Sequence, residues 1–229
     1  MTFHAYQRML RINTAFNGIQ KGEAISNSAF ASGFESLSGF NESYRSVSGE
    51  SPSQTADKSV LNIIRFTTPI GSMFACASSE GICLLEFTDR RMLETEFSDL
   101  CKRLDAVILP GENIYLEQVQ TELLEYFSGN RKIFTVPLHT PGTEFQKAVW
   151  KILQDIPYGE SHSYTQQAIS LGKPKAVRAV GTANELNRVV IIIPCHRVIA
   201  SDGSLADYGG GLHRKKWLLD FEKINTTCL

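Results

Sequence analysis

The chain has 229 residues, of which 42% are hydrophobic and 21% charged, and its formal net charge is −1. These values are typical of a globular protein, and no run of about 18 to 20 apolar residues indicates a membrane span. The near-neutral charge argues against binding DNA through bulk positive charge, although a locally basic face stays compatible with it. The N-terminus lacks the apolar segment of a signal peptide, so we expect a cytoplasmic protein, nucleoid-associated if bacterial.

The cysteines and histidines predict no metal site. The five cysteines are Cys76, Cys83, Cys101, Cys195 and Cys228. Their odd number and their spacing fit neither a disulfide framework nor a zinc cluster, and the histidines lie in no ligand spacing with them. We therefore expect reduced thiols, any of which could be reactive, and no metal or other cofactor.

Residues 1–52 show two short apolar helical patterns joined by the segment AFASGFES. A Gly-containing turn between two helices is typical of a helix-turn-helix. The expected recognition helix, about residues 36–46, carries Arg45 as its one cation, which is little for phosphate contacts. The Ser-rich sequence that follows predicts an exit turn and a flexible linker at 53–59.

Residues 60–138 change to a pattern of strands and two helices. β-rich runs occur at 60–66, 73–77 and 82–87, and the last two are joined by the turn sequence SSEG. Apolar residues then recur at helical spacing from Leu93 to Leu104 and from Leu116 to Phe127. Nothing in this region indicates chemistry, and its three cysteines are interpreted as core residues.

Residues 139–229 begin with two signals for helix starts. Thr143 with Gln146, and Ser163 with Gln166, form sequence patterns typical of capping boxes. A further helix is predicted at about 175–185.

The sequence RVVIIIPCHRVIA then predicts a strand that Pro194 stops. A Gly-rich loop, SDGSLADYGGG, and a last amphipathic helix complete the pattern.

The sequence Pro194-Cys195-His196 places a nucleophile beside a base. A free thiol has a pKa near 8.5, so only about 3% is thiolate at neutral pH, and a reactive cysteine needs a base or a cation nearby. Adjacent strand residues point to opposite faces, so contact between the two side chains would need a turn or a bridging water. Taken alone, the motif favours a buried core cysteine.

The surroundings of this motif carry a resemblance. The segments FQKAVWKILQDIPYGE, SYTQQAISLGKPKAVRAVGTANELN, IIIPCHRVI and DGSLADYGGGLHRKKWLL resemble, in order and spacing, the O6-alkylguanine-DNA alkyltransferases, also called methylated-DNA–protein-cysteine methyltransferases. The match covers residues 143–222. Residues 60–138 fit the family's ribonuclease H-like subdomain. The resemblance therefore implies an α+β fold in which this subdomain precedes a winged-helix-like catalytic domain at 139–229.

The resemblance also implies the catalytic roles. Cys195 would accept the alkyl group irreversibly, His196 would activate it through a water, and Glu222 would orient His196. Asn187 would shape the active-site turn, and Tyr164 would sit near the flipped nucleotide. Each protein molecule would thus act once, as a suicide transferase in DNA repair.

The implied partner is alkylated double-stranded DNA, bound through the minor groove largely without sequence preference, by a monomer. Arg178 would enter the base stack and fill the space that the guanine vacates. The implied DNA-binding residues are Lys175, Arg178, Ala179 and Gly181. The implied pocket residues are Pro194, Tyr208, Gly209 and Gly210. Asp207 and Arg188 depart from residue types common in the family, which puts the range of alkyl groups and of O4-alkylthymine activity in doubt.

The N-terminal 52 residues resemble the end of an AraC-type DNA-binding domain, with GF-x-S as its turn signature. AraC-like helices followed by an alkyltransferase is the order found in Ada-like regulators. No cysteine precedes Cys76, so a four-cysteine zinc domain and a first helix-turn-helix are not expected within this chain. The segment could bind a promoter or be an auxiliary helical appendage.

Three alternatives remain beside the repair hypothesis. The alkyltransferase part could only sense methylation for a transcription regulator. The protein could bind DNA without transfer, as alkyltransferase-like proteins do, although those lack the acceptor cysteine. A Cys–His hydrolase is disfavoured because nothing in the sequence specifies an oxyanion hole.

Overall fold

The computed structural model describes residues 3–227, without the side chains of 3–10, 47, 48 and 227, so Cys228 lies outside the described residues. The helices are α1 (Phe3–Gln20), α2 (Ile25–Ala31), α3 (Leu37–Ser48), α4 (Pro52–Thr55), α5 (Leu93–Leu104), α6 (Ile114–Phe127), α7 (Glu144–Gln154), α8 (Tyr164–Ser170), α9 (Val177–Glu185) and α10 (Leu212–Thr227). The strands are β1 (Ser59–Thr68), β2 (Gly71–Ala77), β3 (Ile82–Phe87), β4 (Ala106–Pro110), β5 (His162–Ser163) and β6 (Val198–Ile199).

Helices α1 to α3 form the N-terminal unit, and the predicted turn joins α2 to α3. Ser36 caps α3, since its hydroxyl accepts a hydrogen bond from the Gly39 amide at 3.1 Å. Gly49 ends the helix in a left-handed conformation with φ of 78°, a geometry that glycine adopts without strain. The unit's own core is built around Phe16, Phe40 and Tyr44.

The segment interpreted as a flexible linker contains α4 instead. Pro52 occupies the first turn, and Ser51 with Gln54 forms a capping box. The Tyr44 hydroxyl lies 2.6 Å from the buried Thr55 hydroxyl, which ties this turn to α3. Composition alone suggested mobility, but local capping and this buried contact order the segment.

A four-stranded sheet follows, in the order β3-β2-β1-β4. The pairs β1–β2 and β2–β3 are antiparallel, whereas β4 lies parallel to β1 after the α5 crossover. The three predicted strands are present, but the sequence analysis missed β4. Its sequence, AVILP, is a five-residue apolar run without alternation, so periodicity does not distinguish it from a helix end.

The two faces of the sheet are covered differently. One face packs against α5 through a core that includes Leu61, Leu84 and Leu100. On the other face, Val107 and Leu109 of β4 belong to the same core as the N-terminal helices. The N-terminal unit is therefore joined to the sheet by buried apolar side chains.

The free edge of β3 holds the segment that leads to Cys195. The Leu85 amide donates to the Arg188 carbonyl at 2.8 Å, and the Val190 amide donates back to Leu85 at 3.0 Å. Ile82 is bridged to Leu138 on the same edge. The sheet thus anchors the backbone just before the candidate nucleophile.

The C-terminal part packs α7 to α10 around the small parallel pair of β5 and β6, so the fold is α+β as predicted. Both capping boxes are present, at the starts of α7 and α8. Helix α9 begins at Val177, two residues later than predicted, because residues 173–176 form a turn in which the Ala176 amide donates to the Lys173 carbonyl at 2.8 Å. Within residues 3–227, no helix is long and apolar enough to cross a membrane.

Candidate active site

The predicted Ile-rich strand was wrong: residues 190–193 form a buried turn, and Cys195–Arg197 is a 3₁₀ helix. Ile191 has a φ of 73°, a conformation that costs a β-branched residue energy and needs support from its surroundings. The Ile193 amide donates to the Val189 carbonyl at 3.0 Å, which closes the turn, and the Cys195 amide donates to the Ile193 carbonyl at 2.8 Å across Pro194. β-Branched composition indicated a strand, but full burial of the turn decides its conformation.

Asn187 supplies the support for this turn. Its side-chain amide donates to the Ile193 carbonyl at 2.8 Å and contacts the Cys195 Sγ atom at 3.2 Å. Its side-chain oxygen accepts from the Val189 amide at 3.0 Å. One buried amide therefore fixes both the backbone of the turn and the position of the thiol.

His196 follows the cysteine but faces a carboxylate. Its Nε2 atom lies 2.9 Å from Glu222 Oε1, and both side chains are fully buried. Its Nδ1 atom is buried and has no hydrogen-bond partner among the described residues. Burial lowers the pKa of His196, although Glu222 opposes that shift, so the imidazole is neutral at pH 7 and can accept a proton.

Glu222 accepts several further hydrogen bonds. Donors are the Tyr126 hydroxyl at 2.8 Å, Arg197 Nε at 2.8 Å and Nη2 at 2.9 Å, and the Gly159 amide at 3.2 Å. Burial raises the pKa of Glu222, but His196 and Arg197 outweigh burial and hold that pKa well below its usual range. The carboxylate is therefore ionised and fixed beside the imidazole.

The sequence analysis did not identify Arg197 or Tyr126. A charged residue inside the apolar motif IIIPCHRVI was the available signal for Arg197. Tyr126 lies on α6, 96 residues before its partner, and no local pattern connects the two.

The thiol itself is protonated at rest. Burial raises the pKa of Cys195 to about 11, while the Asn187 hydrogen bond and the cations Arg90 and Lys215 favour the thiolate. Lys215 is also fully buried and donates to the Ala206 carbonyl at 2.9 Å. Cys195 thus needs a base that removes its proton when a reaction partner is bound.

A cavity of about 710 Å³ opens above Cys195. Its lining includes the predicted residues Tyr164, Arg178, Gly181, Tyr208 and Gly209. Pro194, Gly210, Lys175 and Ala179 are not part of this lining. The cavity lies between helix α9 and the loop after β6, and Cys195 is part of its lining.

Tyrosines and glycines shape this cavity. The Tyr208 hydroxyl is buried without a hydrogen-bond partner among the described residues, and burial raises its pKa well above the usual value, so it stays a donor. A Cβ atom at Gly210 would lie 2.7 Å from the Tyr208 ring and 2.8 Å from the Phe87 ring. Only a glycine at position 210 therefore allows the loop to pack this closely against Phe87 of β3.

The exposed side of α9 borders the same opening. Arg178 and Ala179 are exposed there, and Lys175 is exposed just before the helix begins. Gly181 leaves a Cβ position 3.8 Å from the Tyr164 ring. Among the side chains that the structure describes, no group of three or more His, Cys, Asp or Glu could hold a metal ion.

The chain matches three family models. Residues 144–224 match the model of the 6-O-methylguanine DNA methyltransferase DNA-binding domain, residues 65–140 match its ribonuclease-like domain, and residues 1–58 match a helix-turn-helix domain. The methylated-DNA–protein-cysteine methyltransferase of Methanosarcina barkeri is 41% identical over 162 residues, which cover 69% of this chain and 94% of that protein. The chain belongs to this methyltransferase family.

Two further relatives define its place in the family. The bifunctional transcriptional activator/DNA repair enzyme Ada of Escherichia coli is 33% identical over 98% of this chain, which covers 64% of that protein. The crystal structure of Mycobacterium tuberculosis OGT in complex with DNA has a TM-score of 0.62 at 36% identity, covering 72% of this chain and 94% of that one. The methyltransferase fold is therefore shared, and the N-terminal helices align with Ada.

Proposed function

We propose that this methyltransferase repairs DNA by moving an alkyl group from O6 of guanine to the sulfur of its own Cys195, once per molecule. The observation that carries the proposal is a thiol that lines a cavity large enough for a base and is held by Asn187 at 3.2 Å. The His196–Glu222 pair beside it, 2.9 Å apart, provides a neutral base next to an ionised carboxylate. Family membership supports the same reaction.

The reaction begins with a proton transfer. A water between Sγ and His196 Nδ1 would carry the Cys195 proton to the imidazole, and Glu222 would stabilise the resulting imidazolium. The buried Nδ1 atom without a partner among the described residues supports this route. Asn187 would then hydrogen-bond to the thiolate.

The thiolate next attacks the alkyl carbon in line with the C–O6 bond. The S–C bond forms as the C–O6 bond breaks, and the electron pair stays on guanine, whose O6 accepts a hydrogen bond from the Tyr208 hydroxyl. The proton first held by His196 balances the guanine anion. Tyr164, which lines the cavity, would assist extrusion of the nucleotide. A thioether remains on Cys195, so the protein does not turn over.

Duplex DNA would bind along α9 through the minor groove. Extruding a nucleotide costs a few kcal/mol, and Arg178 inserted into the stack would offset part of that cost. Lys175, Ala179 and Gly181 would contact the backbone, so binding by a monomer would be largely independent of sequence. Its site of action would then be the chromosome, in the cytoplasm or nucleoid.

The test is mass spectrometry after incubation with duplex DNA that contains one O6-methylguanine. One added methyl group per molecule, on the peptide with Cys195, is expected. Cys195→Ala should abolish transfer and retain DNA binding, and Cys101→Ala, which removes a partly exposed thiol of α5, is the matched control. Methylation of any other residue, or none, would refute the mechanism.

A second candidate function is regulation of transcription. It is supported by the helix-turn-helix match over residues 1–58 and by the capped helix α3, which exposes Arg45. A regulator should bind one operator sequence much more tightly than random duplex, and more tightly after Cys195 is methylated. Fluorescence anisotropy with the DNA upstream of its own gene would measure both, and equal affinity for all duplexes would exclude this function.

A further inference from the structure

A buried ion cluster borders the Cys195 cavity from the ribonuclease-like side. Arg90 lines the cavity, is 7% exposed, and donates through Nη1 to the carboxylate of Glu86. Its Nη2 atom lies 2.9 Å from Glu96 Oε1. Glu86 is fully buried in β3 and Glu96 is buried in α5, so both ends of the cluster belong to fixed elements. The guanidinium is therefore held rigidly.

The same guanidinium reaches the backbone that carries Asn187. Arg90 Nη2 donates to the Glu185 carbonyl at 2.6 Å, and Nη1 lies 3.5 Å from the Asn187 carbonyl. Glu185 is the last residue of α9, and the Asn187 side chain contacts the Cys195 sulfur. Arg90 thus fixes the chain between the helix that borders the cavity and the side chain that holds the nucleophile.

The loop on the opposite side of the cavity also rests on Arg90. A Cβ atom at Gly209 would lie 2.3 Å from Arg90 Nη1, so the absence of a side chain lets the loop lie directly on the guanidinium. Tyr208, whose hydroxyl points into the buried part of this site, is the neighbouring residue. One side chain therefore contacts both walls of the cavity.

We infer that Arg90 is a positioning residue for the transfer reaction, and that it acts by holding the 185–187 backbone so that Asn187 can stabilise the Cys195 thiolate. The inference deepens the proposed function and rests on it. A guanidinium suits this role because its planar fork can serve two carbonyls and two carboxylates at once. The positive charge of Arg90 also favours the Cys195 thiolate, in addition to holding the backbone in place.

The charged groups around the thiol indicate the direction of that effect. Arg90 and Lys215 favour the ionised Cys195, and Glu86 disfavours it. Tyr164 and Tyr208 also face the thiol and stay neutral, since burial raises the pKa of both. Removing Arg90 takes away one of the two cations that favour the thiolate and leaves Lys215, so the thiolate should form at higher pH.

The experiment compares the wild type with Arg90→Met and Arg90→Lys, and uses Arg91→Met, a change of the exposed neighbouring residue, as the matched control. The first measurement is the single-turnover rate of methyl transfer from duplex O6-methylguanine. The second is the rate of Cys195 alkylation by iodoacetamide against pH, followed on the Cys195 peptide. Thermal melting reports whether each variant is folded.

In Arg90→Met, transfer should slow by about tenfold or more, since misplacing a reacting group by about 1 Å can cost a hundredfold. Its iodoacetamide profile should also move to higher pH. Arg90→Lys should keep the wild-type profile but transfer slowly, because an ammonium cannot replace the fork. Arg91→Met should match the wild type in both measurements.

A folded Arg90→Lys that transfers at the wild-type rate would overturn the inference, even if Arg90→Met fails to fold. An unchanged rate and profile in folded Arg90→Met would do the same. If the wild type itself leaves Cys195 unmethylated, the proposed function fails instead, and the iodoacetamide profiles still report whether Arg90 controls the thiol.

Discussion

Two buried carboxylates, Glu222 and Glu86, act on Cys195 from different parts of the chain. Burial raises the pKa of both, and their partners oppose that rise to different extents. Glu222 accepts hydrogen bonds from Tyr126, Arg197 and the Gly159 amide beside His196, and its pKa lies well below the usual range. Burial raises the pKa of Glu86 to about 7, and Arg90 and one backbone amide only partly oppose it. The number of donors, and not burial alone, decides which carboxylate is ionised.

The largest effect is expected from a change of Glu222, the ionised carboxylate. Glu222→Gln keeps the size of the side chain but removes the charge that stabilises imidazolium. Methyl transfer should fall roughly 10³- to 10⁴-fold, as happens when a triad loses its orienting carboxylate. Single-turnover transfer measures this, with DNA binding by anisotropy as the control. A loss below tenfold would mean that His196 does not act as the base.

Arg197→Met tests whether donors keep Glu222 ionised. The change leaves a fully buried carboxylate with fewer partners, which should cost about 3 to 5 kcal/mol in the free energy of unfolding. Urea unfolding at pH 7 measures the difference. Lys216→Met, which removes the exposed ion pair with Asp220 on the same helix as Glu222, should cost about 1 kcal/mol or less. Equal losses in both variants would contradict the comparison.

Glu86→Gln tests the other carboxylate through pH. The unfolded chain releases this proton near pH 4.5 and the folded protein near pH 7, so the stability that Glu86 contributes is lost as pH rises between those values. Gln does not titrate. Relative to wild type, the variant should therefore gain about 1 to 3 kcal/mol between pH 5 and pH 8.

Urea unfolding at several pH values measures this gain, and the exposed Glu117→Gln on α6 is the control. A stability difference between variant and wild type that is independent of pH would show that Glu86 is already ionised at pH 5.

The smallest effect is expected when a single hydrogen-bond donor to Glu222 is removed. Tyr126→Phe deletes the 2.8 Å hydrogen bond to Glu222 but leaves the bonds from His196 and Arg197. Stability should fall by about 1.5 kcal/mol, and transfer should change by less than tenfold. Tyr115→Phe on the same helix serves as control. A loss as large as that of Arg197→Met would mean that charge does not dominate at Glu222.

Sequence reasoning found the parts of this site whose signals are local. The capping boxes of α7 and α8 are each predicted from four consecutive residues, and both are present. The turn before Cys195 was missed because its conformation depends on Asn187 and on burial against β3, which no period in RVVIII reveals. Arg90 and Glu86 were missed for a related reason.

Glu86 is the second-last residue of the strand sequence ICLLEF, where a charged residue normally faces solvent. Its burial follows from Arg90, four residues later, together with carbonyls about 95 residues further along the chain. A pairing over that distance becomes visible only once the two domains are packed together.

Val107 and Leu109 belong both to the sheet and to the core of the N-terminal helices. The helical unit and the methyltransferase part are therefore expected to unfold cooperatively, in one transition. A ligand that binds only the helices would stabilise the whole chain by mass action. DNA bound at α3 would thus raise the fraction of molecules in which the Cys195 site is folded, without touching the thiol.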